Sequence, residues 1–172
     1  MGGDSQDERY AGAAAEHGPA LDRLARAYEA DADQRRDLVQ ELHLALWRSF
    51  AQFDGRCSVR TWVYRVAHNA AASYVLKRRR AGAAKLTSLE DLELPDGGVS
   101  PEDAAGAQQV LTRLRGMIQA LGPPDAQVML LYLEDIDAET IGEITGLSAR
   151  AVAMKIHRLK ALLAARFNRR DS

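Results

Sequence analysis

The sequence predicts an all-α protein: two small helical domains joined by a flexible acidic linker, the second containing a helix-turn-helix. Three observations predict it. Alanine is abundant and aromatics make up only 6% of the chain, which favours helices over sheets. Apolar residues recur at helical spacing through two blocks, residues 20–80 and 108–168. Between them, residues 81–107 carry Pro95, Gly97, Gly98 and Pro101, which break regular structure, and an acidic run.

Residues 1–19 are small, polar and acidic, and are expected to form a mobile tail. In the first block Leu21, Leu24, Ala25 and Tyr28 share one helix face. After a break near residues 31–33, a helix over 35–51 is expected to bury Val39, Leu42, His43, Leu46, Trp47 and Phe50. Its outer face then carries Asp37, Gln40, Glu41, Leu44 and Arg48. Gly55, in FDGRCS, marks a loop. A third helix over 59–76 runs into Lys77-Arg78-Arg79-Arg80. Its buried stripe is Val63, Val66, Ala67, Ala70 and Tyr74; Thr61, Tyr64, Arg65 and His68 lie opposite and are expected in solvent, with Trp62 and Asn69 at the boundary. The second block reads as four helices, 109–121, 125–133, 138–144 and 149–166.

The last two of these helices have the design of a helix-turn-helix. Gly142 and Gly146 fall where two helices cross closely, and Ser148 can cap the second by accepting a backbone N–H. On that helix Val152, Ile156, Leu159 and Leu163 point inward, while Arg150, Met154, His157 and Arg158, flanked by Lys155, point out. Such a face reads the DNA major groove; a solvated amphipathic hairpin is the bland alternative. The face of the third helix mixes aromatic and basic groups, which suits unpaired strands, each stacked base contributing about 1–3 kcal/mol. An equal reading packs Trp62 against neighbouring helices. Lys77 and Arg78 are suited to backbone phosphates, or simply complement the helix dipole. Asp37, Leu38, Gln40 and Glu41 would repel DNA and suit a protein partner with a basic, partly apolar groove; a plain surface helix is the alternative.

The formal net charge of −1 hides a separation of sign along the chain. Residues 53–85 hold eight basic side chains against Asp54 alone, and residues 86–109 hold six acidic ones and no basic one. Local charge decides where a polyanion binds, so near-neutrality is no objection to nucleic acid. Cys57 is the only cysteine, so no internal disulfide forms, and without a His partner it reads as a passive small residue. The four histidines lack paired ligand spacing and no glycine-rich phosphate loop is present. No catalysis, cofactor or metal is expected. With no signal pattern and no membrane-length apolar run, the cytoplasm is the expected location.

DLVQE at residues 37–41 with Trp47 following, FDGRCSVRTWVYRVAHNAAASYV at 53–75 and IGEITGLSARAVAMKIHRLKALL at 141–163, in this order, resemble bacterial sigma factors of the extracytoplasmic-function group of the sigma-70 family. The resemblance covers residues 20–167. It implies region 2 at residues 20–80, a linker at 81–107 and region 4 at 108–168. It implies a transcription initiation factor that binds core RNA polymerase, directs it to specific promoters and helps melt them. Asp37, Leu38, Gln40 and Glu41 would meet the beta-prime clamp. Phe53, Arg56, Arg60, Thr61, Trp62, Tyr64, Arg65, His68, Asn69, Lys77 and Arg78 would meet the minus-ten element, the loop 53–58 forming a pocket for a flipped base. Ser148, Arg150, Met154, Lys155, His157 and Arg158 would meet the minus-thirty-five element, while other surfaces of region 4 meet the beta flap. Relatives commonly carry Lys-Ser-Arg where this chain has Ala153-Met154-Lys155, so one basic group and one hydroxyl are missing. An anti-sigma partner and a role in stress response are implied by resemblance only. The competing expectation is a helix-turn-helix regulator acting without stable polymerase association. Its sign would be an apolar exposed surface in the first block, without the exposed Tyr/Arg/His/Thr face.

Overall fold

The computed structural model describes residues 5–81 and 103–169, with side chains described from residue 106 onward in the second segment. Among these residues there are seven α-helices, one 3-10 turn and no strand. Helices α1 (Gln6–Tyr28), α2 (Ala32–Ser49) and α3 (Val59–Arg80) form the first module, with the 3-10 turn Phe50–Gln52 after α2. Helices α4 (Asp103–Ala120), α5 (Pro123–Leu133), α6 (Ala138–Thr145) and α7 (Ala149–Asn168) form the second. Most of the expected linker, residues 82–102, lies outside the described residues, and α4 begins inside its predicted end. No helix among the described residues is long and apolar enough to cross a membrane.

The expected tail is corrected from residue 5 onward, because α1 starts at Gln6 and runs through Pro19. The small, polar and acidic composition of residues 1–19 reads as a tail, but composition does not register a cap. Instead Ser5 and Glu8 make a reciprocal capping box: the Ser5 hydroxyl accepts from Glu8 N–H at 3.2 Å, and the Glu8 carboxylate accepts from Ser5 N–H at 2.7 Å. The early turns also dock on α2. Trp47 Nε1 donates to Asp7 at 2.7 Å, Gln6 donates to the Trp47 carbonyl at 2.8 Å, and the Tyr10 hydroxyl meets His43 Nδ1 at 3.0 Å.

The first core joins Leu21, Leu24, Leu38, Leu42, Leu46, Phe50, Val63, Ala67 and Ala71. The buried stripe of α2 is therefore Leu38, Leu42 and Leu46, continued by Phe50 in the 3-10 turn, one position away from the predicted one at its start. Trp47, predicted inside, is 39% exposed. The second core joins Met117, Ile118, Leu121, Ala126, Met129, Leu159 and Leu163. A third cluster crosses between modules: Tyr64 of α3 packs with Val128, Leu131, Ile136, Ile141, Ile144 and Val152. Helix α3 thus has two buried stripes, one against its own module and one against α5 and α6.

Candidate nucleic-acid interface

The α6–α7 pair is built as its sequence predicts. Gly146 closes α6 in the left-handed region (φ 79°), where glycine pays no Cβ penalty. Gly142 permits the close crossing, since a Cβ there would stand 2.5 Å from the Leu147 carbonyl oxygen. Ser148 caps α7 by accepting from Ala151 N–H at 3.2 Å. Val152, Leu159 and Leu163 are buried, and Arg150, Met154, His157 and Arg158 are exposed, Met154 by 65%. Lys155 is half-buried and forms an ion pair with Asp125 of α5, whose other oxygen lies 3.6 Å from Arg158 Nη2.

The face of α3 that was expected in solvent is covered instead. Thr61, Tyr64 and His68 are buried, Tyr64 to 6% and His68 to 1% exposure. The turn between α5 and α6 covers Tyr64, while His68 lies between Tyr64 and Tyr28 of α1. Glu134 accepts from Arg23 Nε and Nη2, each at 2.8 Å, and from the Tyr64 hydroxyl at 3.2 Å. Its backbone carbonyl accepts from Arg60 at 3.3 Å, and the Glu143 carbonyl accepts from Arg65 at 3.1 Å. The hydrogen bond from Arg23 holds the Glu134 carboxyl below its usual range and raises the guanidinium in turn. Burial raises the Tyr64 phenol, with Glu134 adding to it. Burial also pushes His68 down to about 3, against a small opposing pull from Glu134; the His68 ring lies beside Tyr64 and its Nδ1 is 3.3 Å from the Tyr28 hydroxyl. A cleft of about 160 Å³ remains between the modules, with Ser58, Arg60, Thr61 and Tyr64 on one wall and Asp135, Asp137 and Thr140 on the other.

The other predicted residues fall into four groups. Arg56, Arg60, Asn69 and Lys77 are exposed, Asn69 lying 3.5 Å from Gln127. Trp62 adopts the packed alternative: its ring lies tilted against Phe53 with centroids 5.3 Å apart, and it donates to Ser49 Oγ at 2.9 Å. Phe53 itself is half-buried beside Phe50. Arg78 forms an ion pair with Glu29, a buried carboxylate, so its charge is engaged within the first module. On α2, Asp37, Gln40 and Glu41 are exposed, but Leu38 is fully buried in the core and presents nothing outward. Sequence reasoning missed Arg23 and Glu134 as site residues. The acidic stretch Glu134-Asp135-Ile136-Asp137 between two helices was the available signal.

Comparison with known proteins gives this pair of helical modules its class. Residues 14–81 match the family model for Sigma-70 region 2. The chain is 32% identical over 161 residues to RNA polymerase sigma factor CnrH of Cupriavidus metallidurans, covering 88% of this chain and 82% of that protein. It is 27% identical over 133 residues to ECF RNA polymerase sigma factor SigW of Bacillus subtilis, covering 71% and 69%. In three dimensions it resembles the structure of CnrH in complex with the cytosolic domain of CnrY, with a TM-score of 0.64 and 20% identity over 92% of this chain and 87% of that one. The chain belongs to the sigma-70 family of RNA polymerase sigma factors, in its extracytoplasmic-function group.

Proposed function

We propose that the chain binds core RNA polymerase, directs it to specific promoters and helps open them. The observation that carries this is the likeness to CnrH, which runs through 88% of the chain and so spans both modules rather than the helix-turn-helix alone. Asp37, Gln40 and Glu41 form an exposed acidic and amide face on α2, suited to the beta-prime clamp. Arg56, Asn69 and Lys77 are open to a minus-ten strand, while Arg60, Thr61, Tyr64, Arg65 and His68 join them once the second module moves aside. The open face of α7 suits the minus-thirty-five major groove, and Met154 can touch a thymine methyl. Holding two weak DNA contacts on one polymerase raises their effective concentration, so neither must be strong alone.

The chain itself performs no reaction in this scheme and needs no cofactor. It acts in the cytoplasm, where the polymerase is. The structural likeness is to a sigma factor seen with the cytosolic domain of CnrY, which supports a protein antagonist for this chain too. The regulator reading is disfavoured by the match in the first module. The exposure of the α3 face no longer separates the two readings, because that face is covered by the second module. The deciding experiment is co-elution with core polymerase followed by run-off transcription across a promoter library. Stable co-elution and promoter-dependent transcripts are expected. Duplex binding without polymerase affinity would establish the regulator instead.

A further inference from the structure

Beside the apolar cluster that joins the modules, one carboxylate gathers the polar contacts that hold the second module on the face that the minus-ten strand is proposed to use. Glu134 meets the Arg23 guanidinium with both oxygens at 2.8 Å, takes the Tyr64 hydroxyl at 3.2 Å, and offers its backbone carbonyl to Arg60 at 3.3 Å. A planar guanidinium facing two oxygens side by side is the fork that arginine uses equally for carboxylate and for phosphate.

The presentation of Glu134 is rigid. Helix α5 ends in a Schellman motif with Asp135 in the left-handed position (φ 56°). Asp135 N–H donates to the Tyr132 carbonyl at 3.1 Å and Ile136 N–H to the Leu131 carbonyl at 3.2 Å. Ile136 and Leu131 are both buried in the cluster that includes Tyr64. The turn therefore delivers Glu134 to one place, with an apolar anchor beside it.

We propose that Arg23, Arg60 and Tyr64 form a cradle for a backbone phosphate of single-stranded DNA, and that Glu134 fills that cradle in the free chain as a built-in phosphate mimic. Closure of the modules and strand binding then exclude each other, whereas α7 stays open throughout. Arg23 is the new member of the site: it comes from α1, and its side chain is 53% exposed even when engaged. The proposal rests on the sigma-factor reading for its biological setting, but the competition itself needs no polymerase.

The test uses the full chain without polymerase and a fluorescent pool of random-sequence single strands, with solution scattering to read its dimensions. Glu134→Ala should expand the free protein and tighten strand binding by roughly fivefold or more, the range of ordinary coupling between sites. Arg23→Ala should expand it too, without that gain, and Arg23→Ala with Glu134→Ala should bind roughly fivefold more weakly than Glu134→Ala alone. The charge swap Arg23→Glu with Glu134→Arg should restore compact dimensions. Wild-type dimensions and affinity in Glu134→Ala would overturn the latch. A double variant binding as tightly as Glu134→Ala would remove Arg23 from the cradle. Inorganic phosphate displacing the pool as effectively as unlabelled strand, at equal phosphate, would make the cradle a site for free anions and defeat the proposal. Failure of the wild-type chain to co-elute with core polymerase would instead strike the sigma-factor reading and leave these outcomes unchanged.

Discussion

Helices α3 and α7 carry similar chemistry, a buried aliphatic stripe opposite a face of basic and polar groups, yet only α7 shows that face to solvent. Tyr64 is buried against the α5–α6 turn and His68 beneath Tyr64 and Tyr28, whereas Arg150, Met154, His157 and Arg158 are exposed. The difference lies in what stands opposite. Facing α3 is a turn with an acidic end and an apolar anchor, Glu134 and Ile136, which matches Arg23, Arg60 and Tyr64 in charge and shape. No such partner among the described residues covers the outer face of α7, where Asp125 reaches only its edge. Amphipathicity finds the stripe a helix buries in its own module; it does not find a second stripe buried by another.

The sharpest way to break this contrast is to remove the aromatic that crosses between modules. Tyr64→Ala deletes a buried ring from the shared cluster, a change that typically costs about 3–5 kcal/mol. The loss should uncouple the modules, so that thermal unfolding changes from one transition to two. A single transition at a lower temperature would mean that Tyr64 serves the first module alone.

A smaller effect should appear in the second module only. Gly142→Ala places a Cβ against the Leu147 carbonyl, where backbone must shift, at a cost of about 1–3 kcal/mol. Introduced into the uncoupled Tyr64→Ala chain, it should speed amide exchange in α5, α6 and α7 while α1 and α2 keep their protection. Equal loss in both modules would show that the two cores unfold as one, and would weaken the division drawn between them.

Acid should loosen the covered face and spare the open one. His68 holds off its proton down to about 3, while a free imidazole takes it near 6.5. The unfolded or opened chain therefore binds more protons between those values, and stability is fully present above 6.5 and falls as pH drops toward 3. The slope approaches about 1.4 kcal/mol per pH unit at its steepest. The groups around His68 are Tyr28 from α1, Tyr64 from α3 and Glu134 from the second module; both phenols are raised and stay neutral here. Glu134 acts in the same direction lower down: its contribution is present above 4.5 and is lost as pH falls through its depressed value. Denaturation midpoints should decline from pH 7 to 5 in the wild type and stay flat in His68→Gln. A flat wild-type profile would place the burial of His68 in doubt as an acid-sensitive element.

Much of this was legible beforehand, and the failures are of two kinds. The turn at Gly146, the Ser148 cap and the α7 stripe follow from local rules, and all appear as expected. Leu38 and the start of α1 follow local signals that the predicted stripe and tail miss, the Leu38-Leu42-Leu46 spacing and the Ser5-to-Glu8 capping box. The burial of Tyr64 and His68 and the pairing of Arg78 with Glu29 depend instead on contacts between residues far apart in sequence. No periodicity encodes those. Trp62 shows the boundary case: its position on the wheel allowed either reading, and Ser49 and Phe53 decided for packing.

The least of the expected effects concerns the edge of the open face. Asp125 lies in the first turn of α5, where a negative charge complements the helix dipole, and it pairs with Lys155 and lies near Arg158. Asp125→Asn loses the dipole and ion-pair terms, together about 0.5–1 kcal/mol at a partly exposed site. It also releases Lys155, which is half-buried behind that carboxylate, toward any phosphate beside α7. Binding of a minus-thirty-five duplex should then gain about threefold at low salt, and its salt dependence should steepen by roughly one counterion. These two readouts move independently of stability, because a neutral amide of the same shape preserves the packing of α5 on α7. If affinity and salt slope both stay at wild-type values while stability falls, Lys155 is a structural partner of Asp125, and the DNA-facing set on α7 shrinks to its exposed members.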